Sequence, residues 1–539
     1  MKITKLRTNH LINPIGFQME EVNVSYVVKD SKGEKQRAAQ IVVATDVNFN
    51  AVVYDSGIDE TIINICTVIP IKLESHTRYY WFVKVWSDLG EEAKSEIAYF
   101  ETAKAKEEEW NGYFITQTFD QKIHPNFQKV INVQKDVKRA RFYGVGLGVY
   151  ELYLNKEKVG EEVLLPGIHA YDSWLQYQTF ELELKQGNNL IEAMLGDGWY
   201  KGPYGLKLAL PRYGDEFAFI GEIYIEYADG TKEVIGTDET WSVRKSKVLF
   251  DSIYDGEVFD ERVDDTELFQ TKRADVDITK LKPRLSPKII INERIQPIEI
   301  IKTPHGETVL DMGQNMVGWL EFQVNQPKDT KLILSFGEIL QDGNFYRVNL
   351  RKAKCEFTYI SDGTSKTVRP HFTYYGFRYV KLEGFIGALN KEDFIGCVIY
   401  SQMEETGKIE TSNPLVNQLF SNVIWGQKGN FLDTPTDCPQ RDERMGWTGD
   451  AQIFADTACF NMDTYAFYAK FMRDLAYEQG KSNGSVPYVV PKARYDLGGA
   501  STWGDAATII PWTCYVHYGD KTILRNQYES MKAWVDYIK

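Results

Sequence analysis

The sequence is poor in the residues that build metal centres, disulfide frameworks and membrane spans. Only seven histidines occur in 539 residues, and they are scattered without ligand spacing. That pattern argues against a metal site. The six cysteines, Cys66, Cys355, Cys397, Cys438, Cys459 and Cys514, form no C-x-x-C pair and lie far apart. A zinc site or disulfide framework is therefore not expected, and reduced thiols fit a cytoplasmic location. No stretch approaches the ~18 apolar residues of a membrane helix, and the opening M-K-I-T-K-L-R-T-N-H has no apolar run of signal-peptide length. Positive charge is also short: 62 Lys and Arg against 76 Asp and Glu give a net charge of −14. Nucleic-acid surfaces need basic patches and anionic membranes attract polybasic segments, so neither partner is expected. There is no internal repeat and no low-complexity tract.

What the chain does have is length and aromatic side chains. At 539 residues it is long enough for roughly three to five domains. Its 12 Trp and 32 Tyr suit both β-sandwich cores and the apolar faces of sugars, and composition alone favours cores. Residues 1–104 read as short alternating strands. The clearest is Tyr79–Trp86, followed by the turn Ser87-Asp88-Leu89-Gly90, and the pattern suggests an immunoglobulin or fibronectin-III-like sandwich. The charged stretch Lys104–Glu109 reads as a linker. Residues 105–290 are again β-rich and look like a jelly-roll or galactose-binding-like module. Val145–Asn155 alternates there, and Leu195–Gly202 is a Gly-rich aromatic loop. Residues 291–405 form a further β-sandwich region, with Asp311-Met312-Gly313-Gln314-Asn315 near its start and the strand-like His371–Val380 later.

The texture changes after residue 405. Asn413-Pro414 places a cap before a proline at the first helical position, and Leu415, Val416, Leu419, Phe420, Val423 and Ile424 follow at helical spacing. A second helix is expected from near Asp463 to Gln479, ending at Gly480. A third closes the chain with Met531, Trp534, Val535 and Ile538 on one face.

Chemistry is concentrated in residues 433–452, D-T-P-T-D-C-P-Q-R-D-E-R-M-G-W-T-G-D-A-Q. Asp437, Asp442, Glu443 and Asp450 fall within fourteen residues, with Arg441, Arg444 and Trp447 among them. Prolines 435 and 439 make the first half a loop, able to show side chains to a cavity. Acidic residues beside arginines in a loop are usually solvated ion pairs. Glycoside cleavage is the sharper alternative. A glycosidic oxygen leaves only if it is protonated, and a buried carboxyl can supply that proton. Other carboxylates and an arginine can hold hydroxyls, and a tryptophan can cover an apolar sugar face.

The run D-C-P-Q-R-D-E-R-M-G-W-T-G-D-A-Q closely resembles the signature of bacterial α-L-rhamnosidases of glycoside hydrolase family 78. Upstream, Asp255–Arg262, Leu195–Gly202, Asp311–Asn315 and Gly376-Phe377-Arg378-Tyr379 resemble further family motifs, and Thr502–Ala506 resembles a later barrel segment. The resemblance implies β-sandwich modules followed by an (α/α)₆ barrel, and inverting hydrolysis of terminal α-L-rhamnose. It implies Glu443 as general acid, and Asp437, Arg441 and Asp450 as ligands of the ring hydroxyls. Trp447 is implied as an aromatic wall of the sugar pocket, with Trp503 as another. The expected partners are rhamnosylated small molecules or oligosaccharides; no cofactor is implied, and homo-oligomerisation stays open. Asp442 competes for the acid role but reads better as an ion pair with an arginine. Asp505 reads equally as a pocket residue or a helix cap. Trp199 and Tyr200 read as sandwich packing, Gln314 and Asn315 as turn formers, and Cys438 as a bystander.

An inverting mechanism also needs a base. The resemblance places it on a Glu far downstream, beyond anything this chain contains. About 125 residues follow Asn413. At about 10–14 residues per helix plus loops, they supply some five of the twelve helices of such a barrel. The sequence therefore reads as an incomplete barrel, expected to be inactive by itself and to expose apolar faces such as that of Trp534. A non-catalytic carbohydrate-binding protein and another (α/α)₆ glycosidase are the competing readings.

Overall fold

In the computed structural model the described residues are 1–105, 108–206, 210–493 and 497–539. The N-terminal module is a β-sandwich. One sheet contains Lys2–Thr8, Val22–Lys29 and Thr67–Ile69, and the other is built around Gln36–Ala44, Arg78–Ser87 and Ala98–Thr102. Val24, Trp81, Val83 and Phe100 meet in the core between them. The expected strand at Tyr79–Trp86 lies within Arg78–Ser87, with Trp81, Val83 and Val85 buried at alternate positions. Gly90 closes the following turn at φ +81, donating its N–H to the Ser87 carbonyl at 3.1 Å.

Lys104 departs from the linker reading. Its side chain is buried, with Nζ 2.5 Å from Glu222 of the next module. A buried, paired ammonium ties the two modules together, whereas a linker would leave it in water. Lys106 and Glu107, also part of that stretch, lie outside the described residues.

The second module is a twelve-stranded hydrogen-bonded network running from Ile115–Gln117 to Leu281–Pro283. Here Val145–Asn155, expected to be one alternating strand, is two. Val137–Leu147 and Val149–Leu154 are separated by Gly148 at φ +127. A Cβ on Gly148 would lie 2.3 Å from the Gly196 carbonyl oxygen, so only glycine fits this corner. Trp199 is buried in the core and Tyr200 packs against it.

The third module is a ten-stranded network that also recruits Val248–Ser252 and Gly256–Asp260 from earlier in the chain. Its spine is the 17-residue strand Thr308–Val324. The pairing of that strand slips between Asp311 and Met316, so Gln314 and Asn315 occupy a bulge rather than a turn. Arg378 donates to both oxygens of Asp311 at 2.8 and 2.9 Å. Two motifs that are 67 residues apart thus form one ion pair across the sheet.

Five α-helices follow among the described residues: α1 Pro414–Asn430, α2 Thr448–Asn461, α3 Tyr465–Gly480, α4 Ala506–Tyr518 and α5 Thr522–Ile538. Asn413 caps α1, its side chain accepting from the Leu415 N–H at 2.9 Å. The expected apolar stripe of α1 faces outward for the most part: Leu415 is 78% and Leu419 62% exposed, while Ile424 is buried. Trp534 itself departs from the expectation of an exposed face. It is 1% exposed, its ring lies over Gly504, and its indole N–H donates to Asp505 at 3.0 Å. Val535 and Ile538 of the same face are 40% and 53% exposed, and further apolar exposure lies on α1, on Ile453 of α2, and on Trp512 and Val516 of α4. No helix among the described residues is long and apolar enough to cross a membrane.

One core runs through the second and third modules and takes in Leu432, Met445 and Val489 of the helical region. The loop between α1 and α2, which holds most of the motif at residues 433–452, is thereby packed onto both β modules.

Candidate active site

The loop between α1 and α2 is held at several points along its length. At its entry Asp433 adopts φ +63, and its carboxylate pairs with the buried Lys470 ammonium at 3.2 Å. Lys470 also donates to the Asp433 and Ile168 carbonyls, so the second module shares this anchor. Asp437 and Met445 close the loop on itself: the Asp437 N–H donates to the Met445 carbonyl, and the Met445 N–H donates to the Asp437 carboxylate, each at 3.1 Å. The fully buried Arg444, at φ +49, donates to the carbonyls of Ile253 at 2.5 Å, Tyr374 at 2.8 Å and Gln440 at 3.0 Å. The Tyr254 hydroxyl, itself bonded by the Gly205 N–H, donates to the Glu443 carbonyl at 2.9 Å.

This scaffold gathers part of the predicted set. Oxygens of Asp437 and Glu443 and the Cys438 sulfur lie within 4.8 Å of one another. Arg441 links the two carboxylates, with Nε 3.0 Å from Glu443 Oε2 and a terminal nitrogen 3.6 Å from Asp437. Glu443 is 8% exposed. Burial, reinforced by the Glu443 charge, pushes the Asp437 carboxyl up to about 6 against the opposing Met445 N–H bond. Burial next to Asp437 pushes the Cys438 thiol up to about 12, which keeps it protonated and a poor nucleophile.

The remaining residues surround the start of α2. Asp450 lies exposed in its first turn and shares with Asp437 a pocket of ≈ 300 Å³ bounded by α1 and α2. Trp447 is half-buried immediately before the helix and forms a backbone bridge with Val489. Trp503 is 37% exposed and packs edge-on to Tyr488 with centroids 5.6 Å apart. A Cβ on Gly449 would lie 2.9 Å from the Trp503 indole nitrogen, so the ring sits directly on the helix start. Asp505 precedes α4 and makes no side-chain cap; its carboxylate accepts from the Thr502 N–H at 2.7 Å and from the Trp534 indole N–H at 3.0 Å.

One participant carried no warning in the sequence motif. Arg351, from the third module, donates from Nε to Asp442 at 3.0 Å and from a terminal nitrogen to Glu443 Oε2 at 2.7 Å. The stretch R-V-N-L-R-K-A-K at residues 347–354, cationic in an acidic chain, was the available signal. Asp437, Cys438 and Glu443 also make a plausible metal donor set, as do His124, Asp197 and Asp251. In each set a side-chain cation already sits against a carboxylate: Arg351 and Arg441 on Glu443, and Lys201 on Asp197.

Comparison with known proteins accounts for most of the chain. Residues 3–106 match the Rha78A-like N-terminal immunoglobulin domain and 135–302 the α-L-rhamnosidase N-terminal domain. Residues 301–400 match the bacterial α-L-rhamnosidase concanavalin-like domain, and 404–539 the bacterial α-L-rhamnosidase 6 hairpin glycosidase domain.

The chain belongs to the bacterial α-L-rhamnosidase family.

An α-L-rhamnosidase of Formosa agariphila is 33% identical, the match covering 97% of this chain and 60% of that protein. One of Streptomyces avermitilis is 36% identical, over 75% of this chain and 41% of its own length. The crystal structure of the Aspergillus terreus α-L-rhamnosidase superposes with a TM-score of 0.93 at 31% identity, covering 99% of this chain and 65% of that one. This rhamnosidase-family chain thus spans 41% and 60% of the two curated relatives' lengths.

Proposed function

We propose that this site serves the hydrolysis of terminal non-reducing α-L-rhamnose from small-molecule glycosides or oligosaccharides, by single displacement with inversion. The carrying observation is the placement of Glu443: scarcely exposed, beside Asp437, and bound by two guanidiniums that both end on Oε2. Oε1 takes neither bond and is the oxygen that presents the proton to the glycosidic bond. Asp437, Arg441 and Asp450 hold ring hydroxyls, and Trp447 and Trp503 wall the sugar. We read α1–α5 as helices of an (α/α)₆ barrel, whose neighbouring helices would pack on the outward Leu415, Leu419, Trp512 and Val516.

Inversion requires a second carboxylate about 6.5–9.5 Å from the acid, with water between them. Asp437 approaches Glu443 within 4.8 Å, too close for that arrangement. We assign the base to no residue of this chain. The close approach does favour a second reading, retention with Asp437 as nucleophile. The anomer first released, followed by proton NMR, separates the two.

The acid can be tested without a base. Azide attacks the anomeric carbon as an anion, forming the C1–N bond as the bond to the aglycone oxygen breaks, and the acid protonates that oxygen. With azide and an aryl α-L-rhamnoside of poor leaving group, Glu443→Gln is expected to release aglycone about 10²-fold or more slowly than the parent chain. On a dinitrophenyl rhamnoside, which needs no protonation, the two should differ little. Rhamnose binding without any aglycone release would instead establish a non-catalytic carbohydrate-binding protein.

A further inference from the structure

We infer that Arg351 is a positioning residue for the proton donor, supplied by the third β module and not by the helical region that carries Glu443. The inference rests on the reading of Glu443 as general acid.

Three bonds define the contact. Arg351 reaches the Asp442 carboxylate through Nε at 3.0 Å, the Asp442 carbonyl at 3.1 Å, and Glu443 Oε2 at 2.7 Å. One planar guanidinium thus grips two consecutive acidic residues and the backbone between them. A lysine, with a single charged nitrogen, cannot reproduce that fork. The contact spans 92 residues of sequence, so it exists only in the folded chain.

The backbone around Arg351 is specialised for this reach. It follows the short 3₁₀ turn Val348–Leu350 and takes φ +57, which an arginine adopts only when its surroundings enforce it. Leu350 and Ala353 on either side are buried and anchor the turn to the core, while Arg351 itself remains exposed. Cys355, just before the strand Glu356–Ile360, donates its thiol to the Gln440 carbonyl of the catalytic loop at 3.2 Å. Gln440 in turn donates to Glu338 at 2.9 Å. The third module therefore holds the catalytic loop at several points: the Tyr254 hydroxyl bonds the Glu443 carbonyl, and Arg351 bonds its carboxylate.

The consequence is chemical. Arg351 and Arg441 both occupy Oε2, which fixes the carboxyl plane and leaves Oε1 to carry the proton. Loss of Arg351 frees the carboxyl to rotate about its side-chain torsions, and the proton is no longer aimed at the glycosidic oxygen. A proton held about 1 Å from its productive position costs catalysis far more than binding. Asp442, which could pass for a second acid, is in this arrangement the anchor that keeps Arg351 in place.

The test uses the full chain, azide, and aryl α-L-rhamnosides of graded leaving-group basicity. Arg351→Ala is expected to slow aglycone release about 10–100-fold for the poorest leaving group and less than about 3-fold for dinitrophenol, with rhamnose affinity by calorimetry unchanged. Asp442→Asn, which leaves Arg351 in the chain but removes its anchor, should shift the same leaving-group slope in the same direction. Arg351→Lys should restore only part of the loss. Equal losses on all leaving groups, or no loss on the poorest, would overturn the inference while the acid role of Glu443 stands. A leaving-group slope unaffected by Glu443→Gln would overturn both. Because Arg351 is exposed, its alanine variant should melt within about 2 °C of the parent, which separates misaiming from unfolding.

Discussion

Asp437 is the carboxyl of the cluster whose proton affinity is visibly displaced. Its ordinary value is 3.8, and burial with Glu443 alongside raises it to about 6. A carboxyl raised in the folded state binds its proton more tightly there than when unfolded. Its contribution to stability is therefore fully present below about pH 4 and is lost as the pH rises through about 6. Asp437→Asn removes that dependence while keeping an oxygen for the Met445 N–H. Relative to the parent, the variant is expected to gain about 1–3 kcal/mol between pH 4 and pH 7. Parallel melting curves at the two pH values would show it; a difference that does not grow with pH would count against the raised value. At this scale Asp437, Arg441 and Glu443 were legible because they share one short motif. Arg351 was not, because the local basic run that holds it does not show which carboxylate, 92 residues away, it meets.

At the scale of elements, the loop between α1 and α2 owes its shape to Arg444 as much as to its own turns. Four carbonyls, those of Ile253, Tyr374, Gln440 and Arg441, receive its guanidinium, and the Tyr374 ring lies 4.8 Å from it. Removing a fully buried, multiply bonded cation leaves several acceptors unpaired. Arg444→Lys is expected to destabilise by about 3 kcal/mol or more, measured as a lower urea midpoint for the unfolding of this region. The helices show where local reading works. α1, α3 and α5 were visible through caps and spacing. α2 buries small residues, Ala451, Ala455 and Ala458, so its pattern is faint, and α4 is apolar around its circumference and contains Pro511. The periodicity of α1 showed a helix but not which side is covered, since Leu415 and Leu419 face outward.

On the scale of the whole molecule, the helical region carries an apolar exterior that single domains seldom show. Leu415, Leu419, Ile453, Trp512 and Val516 are each more than half exposed. Surfaces of this kind associate. The chain is expected to elute as concentration-dependent oligomers, and the pair Leu419→Glu with Val516→Lys should raise the monomer fraction several-fold by light scattering. A monomer at every concentration would show that these faces are too dispersed to pair. The order of β-rich modules before helices was readable because alternation and helical spacing are local properties of the chain. So was the family, which rests on contiguous motifs. The tertiary structure alone decided the rest: Gly256–Asp260 joins a sheet built mostly of later strands, Asp311 meets Arg378, and Trp534 folds inward over Gly504. The same holds for Glu443, the proposed acid, whose type and position a motif can name. Its orientation depends on an arginine from another module, because hydrogen bonds are set by distance in space and not by distance along the chain.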